Sequence, residues 1–146
     1  MAIEYTKQSY GQIEDKLRKI INDYFGGVYI SSQYIEQKQV ESIRITLNSI
    51  DVLQQTNGYE FLKFNVMIRH YLKEPHSIKR EEYAKNRIDR LKKLLWDNIT
   101  TTTTNYTSLA VDSIEFNIQD SENEDNENLQ ITEFNISMNR LNIFSN

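Results

Sequence analysis

The stretch that decides the fold runs Ser42-Ile-Arg-Ile-Thr-Leu-Asn-Ser-Ile-Asp-Val-Leu-Gln-Gln-Thr56, then Asn57-Gly58, then Tyr59-Glu-Phe-Leu-Lys-Phe-Asn-Val-Met-Ile-Arg-His-Tyr-Leu72. Two alternating arms flank one Asn-Gly pair. That pair is the strongest short hairpin signal, because both residues tolerate the positive φ that a type I′ turn demands. With Thr56 facing Tyr59, Leu53 falls opposite Leu62, Leu47 opposite Ile68 and Ile43 opposite Leu72, and Ile45, Phe64 and Val66 share their face. A slip of one residue would turn every one of these side chains to the other side. The second face is expected to carry Ile50, Val52, Tyr59, Phe61, Met67 and Tyr71. A ribbon this long and apolar on both faces exceeds what one small core needs, so these residues form the candidate interface. The pattern points to assembly rather than catalysis.

The chain has 146 residues, a length that fits one domain, 1–146, around one core. Hydrophobic residues make up 38%, low for a globular protein, but they fall in ordered patterns rather than the scatter of a disordered chain. The absence of cysteine removes disulfides, thiol chemistry and cysteine-ligated metals together, and permits folding inside a cell. The start Met1-Ala2-Ile3-Glu4-Tyr5 lacks the basic and apolar blocks of a signal peptide, and no apolar run is long enough to span a bilayer. A net charge of −4 argues against nucleic acid as the main partner of the whole molecule.

Around the hairpin, periodicity predicts two helices. Ile13, Leu17, Ile20, Ile21 and Tyr24 make one stripe of a helix from Tyr10 to Phe25, with Ser9 and Gln12 as a capping box and Gly26-Gly27 as the stop. Val28-Tyr29-Ile30 reads as a short strand. Pro75 ends the hairpin, and Ser77 is expected to cap a second helix from Ile78 to Asp97 whose buried stripe is Ala84, Ile88, Leu91 and Leu95. Asn98 and the run Thr100 to Thr104 should leave that helix as loop. Two strands follow, Leu109 to Gln119 and Leu129 to Leu141, joined by an acidic loop, 120–128. In each strand the apolar phase changes midway, which implies a β-bulge or a strand covered on both faces. Strand runs broken by two helices give an α+β fold: a mainly antiparallel sheet of four strands, or five with the short one, and both helices on one face.

No motif carries chemistry. His70 and His76 are too few for a zinc site. The loop Asp120 to Glu127 has no glycine and no flanking helices, so it does not match an EF-hand and reads as a solvated hairpin tip. Bases outnumber acids on the second helix, yet Glu81 with Lys85 and Asp89 with Lys93 are spaced for ordinary surface pairs. No glycine-rich phosphate loop and no nucleophile elbow occur, so neither catalytic nor cofactor-binding residues are assigned.

The order short helix, long hairpin, second helix, final antiparallel pair resembles the tail terminator proteins of long-tailed bacteriophages. The stretches Tyr59–Tyr71, Ser77–Leu95, Leu109–Gln119 and Leu129–Leu141 carry the likeness, with the acidic joint before Leu129-Gln-Ile-Thr-Glu-Phe134. The resemblance implies a non-enzymatic virion protein without cofactors, assembled in the host cytoplasm. It would form a hexameric ring on the end of the tail tube. Its partners would be further copies of itself, tube or sheath subunits, and the head-proximal connector, with DNA passing through the channel unbound. Another neck, tail-completion or baseplate component would fit a similar pattern. A small nucleic-acid-binding module using helix 79–93 and a non-catalytic subunit of a cellular enzyme are the readings from other classes.

Overall fold

A computed structural model describes residues 9–24, 29–31, 41–99, 106–118 and 129–143. Its elements in chain order are α1 (Ser9–Tyr24), β1 (Tyr29–Ser31), β2 (Glu41–Gln55), β3 (Tyr59–Lys73), α2 (Ser77–Ile99), β4 (Tyr106–Glu115) and β5 (Leu129–Ile143). The strands form one sheet in the order β1-β2-β3-β5-β4. All neighbours are antiparallel except β1, which runs parallel to the start of β2. The chain is therefore α+β, an antiparallel four-stranded sheet with the short β1 as a fifth strand and both helices on one face. Gly26-Gly27, Thr100–Thr104, the acidic stretch 120–128 and the side chains of Ser9 and Gln12 lie outside the described residues.

The alternation of β3 sets the layers. Leu62, Phe64, Val66 and Ile68 are all buried toward the helices, while the residues between them are half-buried on the other side. Ile13, Leu17 and Ile21 of α1 meet them over the β2 side. Ile88, Leu91 and Leu95 of α2 meet Phe134, Ile136 and Met138 of β5 in the same cluster, with Leu109 of β4. The predicted helical stripes are thus the core, except that Tyr24 ends α1 exposed.

The hairpin forms, but its register is not uniform. Near the turn Gln54 faces Phe61 and Gln55 faces Glu60, as the sequence predicts. The ladder then passes from Gln54↔Phe61 to Val52↔Leu62, and from Ser49↔Asn65 to Leu47↔Val66. Leu53 and Asn48 are each an extra residue on β2, and each bulge moves the remaining pairs by one. Ile43 consequently lies opposite His70 and not Leu72, and Leu47 opposite Val66 and not Ile68. The turn differs as well: neither Asn57 nor Gly58 adopts a left-handed conformation. The Thr56 hydroxyl accepts from the N–H groups of Gly58 at 3.1 Å and Tyr59 at 3.2 Å, so a side-chain oxygen does the work expected of a type I′ backbone.

The two phase changes in the last strands have different causes. In β4 the ladder skips between Thr107 and Ala110 and between Val111 and Ser113, so bulges are the cause there. In β5 the register against β3 is unbroken from Lys73↔Leu129 to Tyr59↔Ile143; instead Ile131 is buried on one face and Phe134 on the other. β4 ends before the expected Gln119, where Asn117 takes φ 56°, a left-handed value that asparagine tolerates better than most residues.

α2 also begins differently. His76, not Ser77, caps it: its carbonyl accepts from Arg80 N–H at 2.9 Å and its Nδ1 from Lys79 N–H at 3.2 Å. At the other end the helix runs through Asn98, whose Nδ2 donates to the Leu94 carbonyl at 2.8 Å. That bond folds the Asn98 side chain back onto the last turn of the helix. Leu91 sits on α2 with 1% of its surface exposed, so Leu91→Ala should lower stability by about 2–5 kcal/mol in a denaturant titration.

Candidate functional site

Among the described residues no helix covers the sheet face turned away from α1 and α2, and that face divides into three zones. At the end near α2's start, Tyr71 and Ile131 face each other and are both buried. Next to them the directly opposed Arg69 and Glu133 form an ion pair at 3.2 Å. The middle is polar and knitted across strands. Asn65 Nδ2 donates to Ser49 Oγ at 3.0 Å and Asp51 Oδ2 at 2.9 Å, Asn135 Nδ2 to Ser113 Oγ at 3.0 Å, and Ser137 Oγ to Asp112 Oδ1 at 3.3 Å. The far end, beside the hairpin turn, is apolar: Phe61 pairs with Leu141 and Tyr59 with Ile143. Leu141 is 50% exposed and Ile143 75%.

The expected interface residues therefore separate. Tyr59, Phe61, Met67 and Tyr71 do share the open face, but Tyr71 is buried. Ile50 and Val52 belong to the helix side, because the bulges put them opposite Phe64 and Leu62. Ile50 packs against the core, whereas Val52 lies beyond the helices and is exposed together with Leu53. Leu141 and Ile143 were not among the expected residues. Their alternation with Asn139 was the available signal, but their place beside Phe61 and Tyr59 depends on a pairing between strands distant in sequence.

A second group of polar residues lies on the helix side. His70 is buried on β3 between Ile43 and Thr132, its partners in the two ladders. The Glu41 carboxylate reaches His70 Nε2 at 3.4 Å and Arg87 Nε at 3.3 Å. Arg87 also donates to the Tyr83 hydroxyl at 2.8 Å and lies over that ring at 4.9 Å. Burial alone would push the Glu41 carboxyl up. The adjoining His70 imidazole, the Tyr83 hydroxyl and the Arg87 charge outweigh it and hold the group below the usual carboxylate range. Burial, then the nearby carboxylate, pushes the Tyr83 phenol up. The group fastens the first half of α2 to the ends of β2 and β3. It holds charge under a helix.

The other candidates resolve simply. The spacing of Glu81 and Lys85 gives the expected surface ion pair at 3.1 Å. His76 serves as a cap. Among the described residues no group of three or more histidine, aspartate or glutamate side chains could hold a metal ion, and no helix is long and apolar enough to cross a membrane. No protein-family model matches the chain, and no curated protein matches it in sequence.

The Glu41 arrangement predicts a sign for the pH dependence of stability. The carboxyl is lowered in the fold from its ordinary 4.5, so its contribution is fully present above that value and is lost as pH falls through the lowered one. Glu41→Gln should flatten this part of the acid limb in a series of thermal melts. An unchanged acid limb would show that the group does not report on folding.

Proposed function

We propose that the protein is a structural subunit of a long-tailed bacteriophage: a tail terminator that closes the tail tube as a hexameric ring and offers a docking face to the head. The observation that carries the assembly part of this reading is the apolar end of the open sheet face, where Phe61, Leu141, Tyr59 and Ile143 form one continuous surface. Contiguous exposed apolar area of this kind marks interaction sites in soluble proteins. The terminator part rests on the order of elements, α-β-β-β-α-β-β with both helices on one face, which the resemblance leads one to expect.

In this reading the work is geometric and not catalytic. Each subunit presents its apolar sheet end to a neighbour or to the tube, and a different surface receives the next copy. Repeated contacts between unlike patches close into a ring when the rotation permits. The channel gains nothing from gripping DNA, since each neutralised phosphate adds salt-sensitive affinity and hence drag. The net charge of −4 suits such a channel. Partners are further copies, tube or sheath subunits and the head-proximal connector; the assembled protein resides in the virion.

The test replaces Phe61 and Leu141 together with lysine. Both lie outside the core cluster, so the domain should keep its helical circular dichroism while ring and particle formation fail. Electron microscopy of particles carrying the natural protein should show one ring at the head-proximal end of the tail. Normal assembly of the double variant would remove the interface. Absence of the protein from virions, or tight salt-sensitive binding to duplex DNA by the isolated chain, would remove the terminator reading.

A further inference from the structure

We infer that the free edge of β2 is closed to strand addition, so that partners join this protein through its sheet faces and not by extending the sheet. The inference takes from the proposed function only that the protein assembles, and the phage assignment does not enter it.

β1 pairs with Ser42, Ile43 and Arg44 of β2 and no further. From Ile45 to Gln55 the described strands cover β2 only on the β3 side. An edge that no other described strand covers over that length is a template for pairing with another chain, the more so with Val52 and Leu53 exposed on it. Two features act against such pairing. The first is the placement of irregularities. β2 carries extra residues at Asn48 and Leu53, and β4, at the opposite edge, carries one between Thr107 and Ala110 and another at Asp112. The inner pair β3 and β5 has none. A bulge bends the strand and breaks the even spacing of donors and acceptors that an added strand would need. The second is a clamp: the Leu47 N–H, beside the first bulge, donates to Glu14 Oε1 of α1 at 2.9 Å. That donor is withheld from any incoming strand. Leu53, an exposed apolar residue, is itself one of the bulged positions, so the stickiest part of the edge is also irregular. A partner that fits such a molecule presents an apolar surface rather than an unpaired strand.

The pairs on either side of each bulge are already consecutive on β3: Leu47↔Val66 with Ser49↔Asn65, and Val52↔Leu62 with Gln54↔Phe61. Deleting Asn48 and Leu53 would therefore straighten the edge without changing any pair. The deletion variant should gain concentration-dependent association by analytical ultracentrifugation, together with slowed amide exchange from Ile45 to Gln55. In the natural chain, assembled or not, the N–H groups of this stretch that point away from β3, the clamped Leu47 apart, should keep fast exchange. A folded deletion variant that gains neither property would overturn the inference, and so would assembly of the natural chain that slows exchange along this edge. Because the arm with the natural chain needs no variant, a deletion that fails to fold leaves the question decidable. Glu14→Ala, which keeps both bulges, should speed exchange at Leu47 by up to about tenfold, the worth of one ordinary hydrogen bond; an unchanged rate would remove the clamp. All of this is measured on purified protein, free and self-associated, so a protein absent from virions would end the terminator proposal without touching this result.

Discussion

The unbroken ladder between β3 and β5 is the constraint on which the rest of the structure depends. It pairs Tyr59 with Ile143 at one end and Lys73 with Leu129 at the other, without a skipped residue. On its helix side Phe64 faces Met138, Val66 faces Ile136 and Ile68 faces Phe134, all buried. Cross-strand apolar pairs of this kind stabilise a sheet directly, and they also present the flat floor on which α1 and α2 lie. Because side chains alternate, fixing the helix side fixes the other face too. Phe61 must stand beside Leu141 and Arg69 beside Glu133 once the core pairs are made.

Irregularity is confined to the outside of that frame. β2 and β4 each absorb extra residues, and each does so while keeping apolar residues on the core side. Ile50 illustrates the trade. The Leu53 bulge turns it from the open face, where the register at the turn would put it, to the core, leaving the open face next to it to Ser49 and Asp51, which Asn65 bonds. The open face is therefore mostly polar through its middle, where Met67 is half-buried, and its well-exposed apolar residues, Leu141 and Ile143, gather at the corner formed by the last residues of β5 and the first of β3. A surface of that shape favours a localised contact over broad stacking of sheets.

Much of this was legible in the sequence, and the omissions have physical causes. Helical stripes such as Ile88, Leu91 and Leu95 are local patterns, and they mark the core. The changes of phase in the last two strands were visible, but a bulge and a doubly covered strand leave the same trace, and only the partner strand separates them. The β2 bulges left no trace, since β2 has apolar residues in both phases: Leu53 could stand opposite Leu62 as well as Val52 does. The charged group around Glu41 was hidden for another reason. It joins residues from β2, β3 and α2 through the tertiary fold, and periodicity carries no information about such meetings. His76 does not read as a cap because serine is the commoner one, although an imidazole nitrogen can accept the same N–H.

The central claim is that the apolar corner of the open sheet face is where this protein meets its partners, and the natural absence of cysteine allows a direct test. Ile143, the most exposed residue of that corner at 75%, can be replaced by cysteine as the chain's sole thiol. The rate of thiol alkylation would then be compared between the isolated protein and the assembled particle. The account predicts rapid modification of the isolated chain and strong protection after assembly. Equal rates in the two states would contradict it.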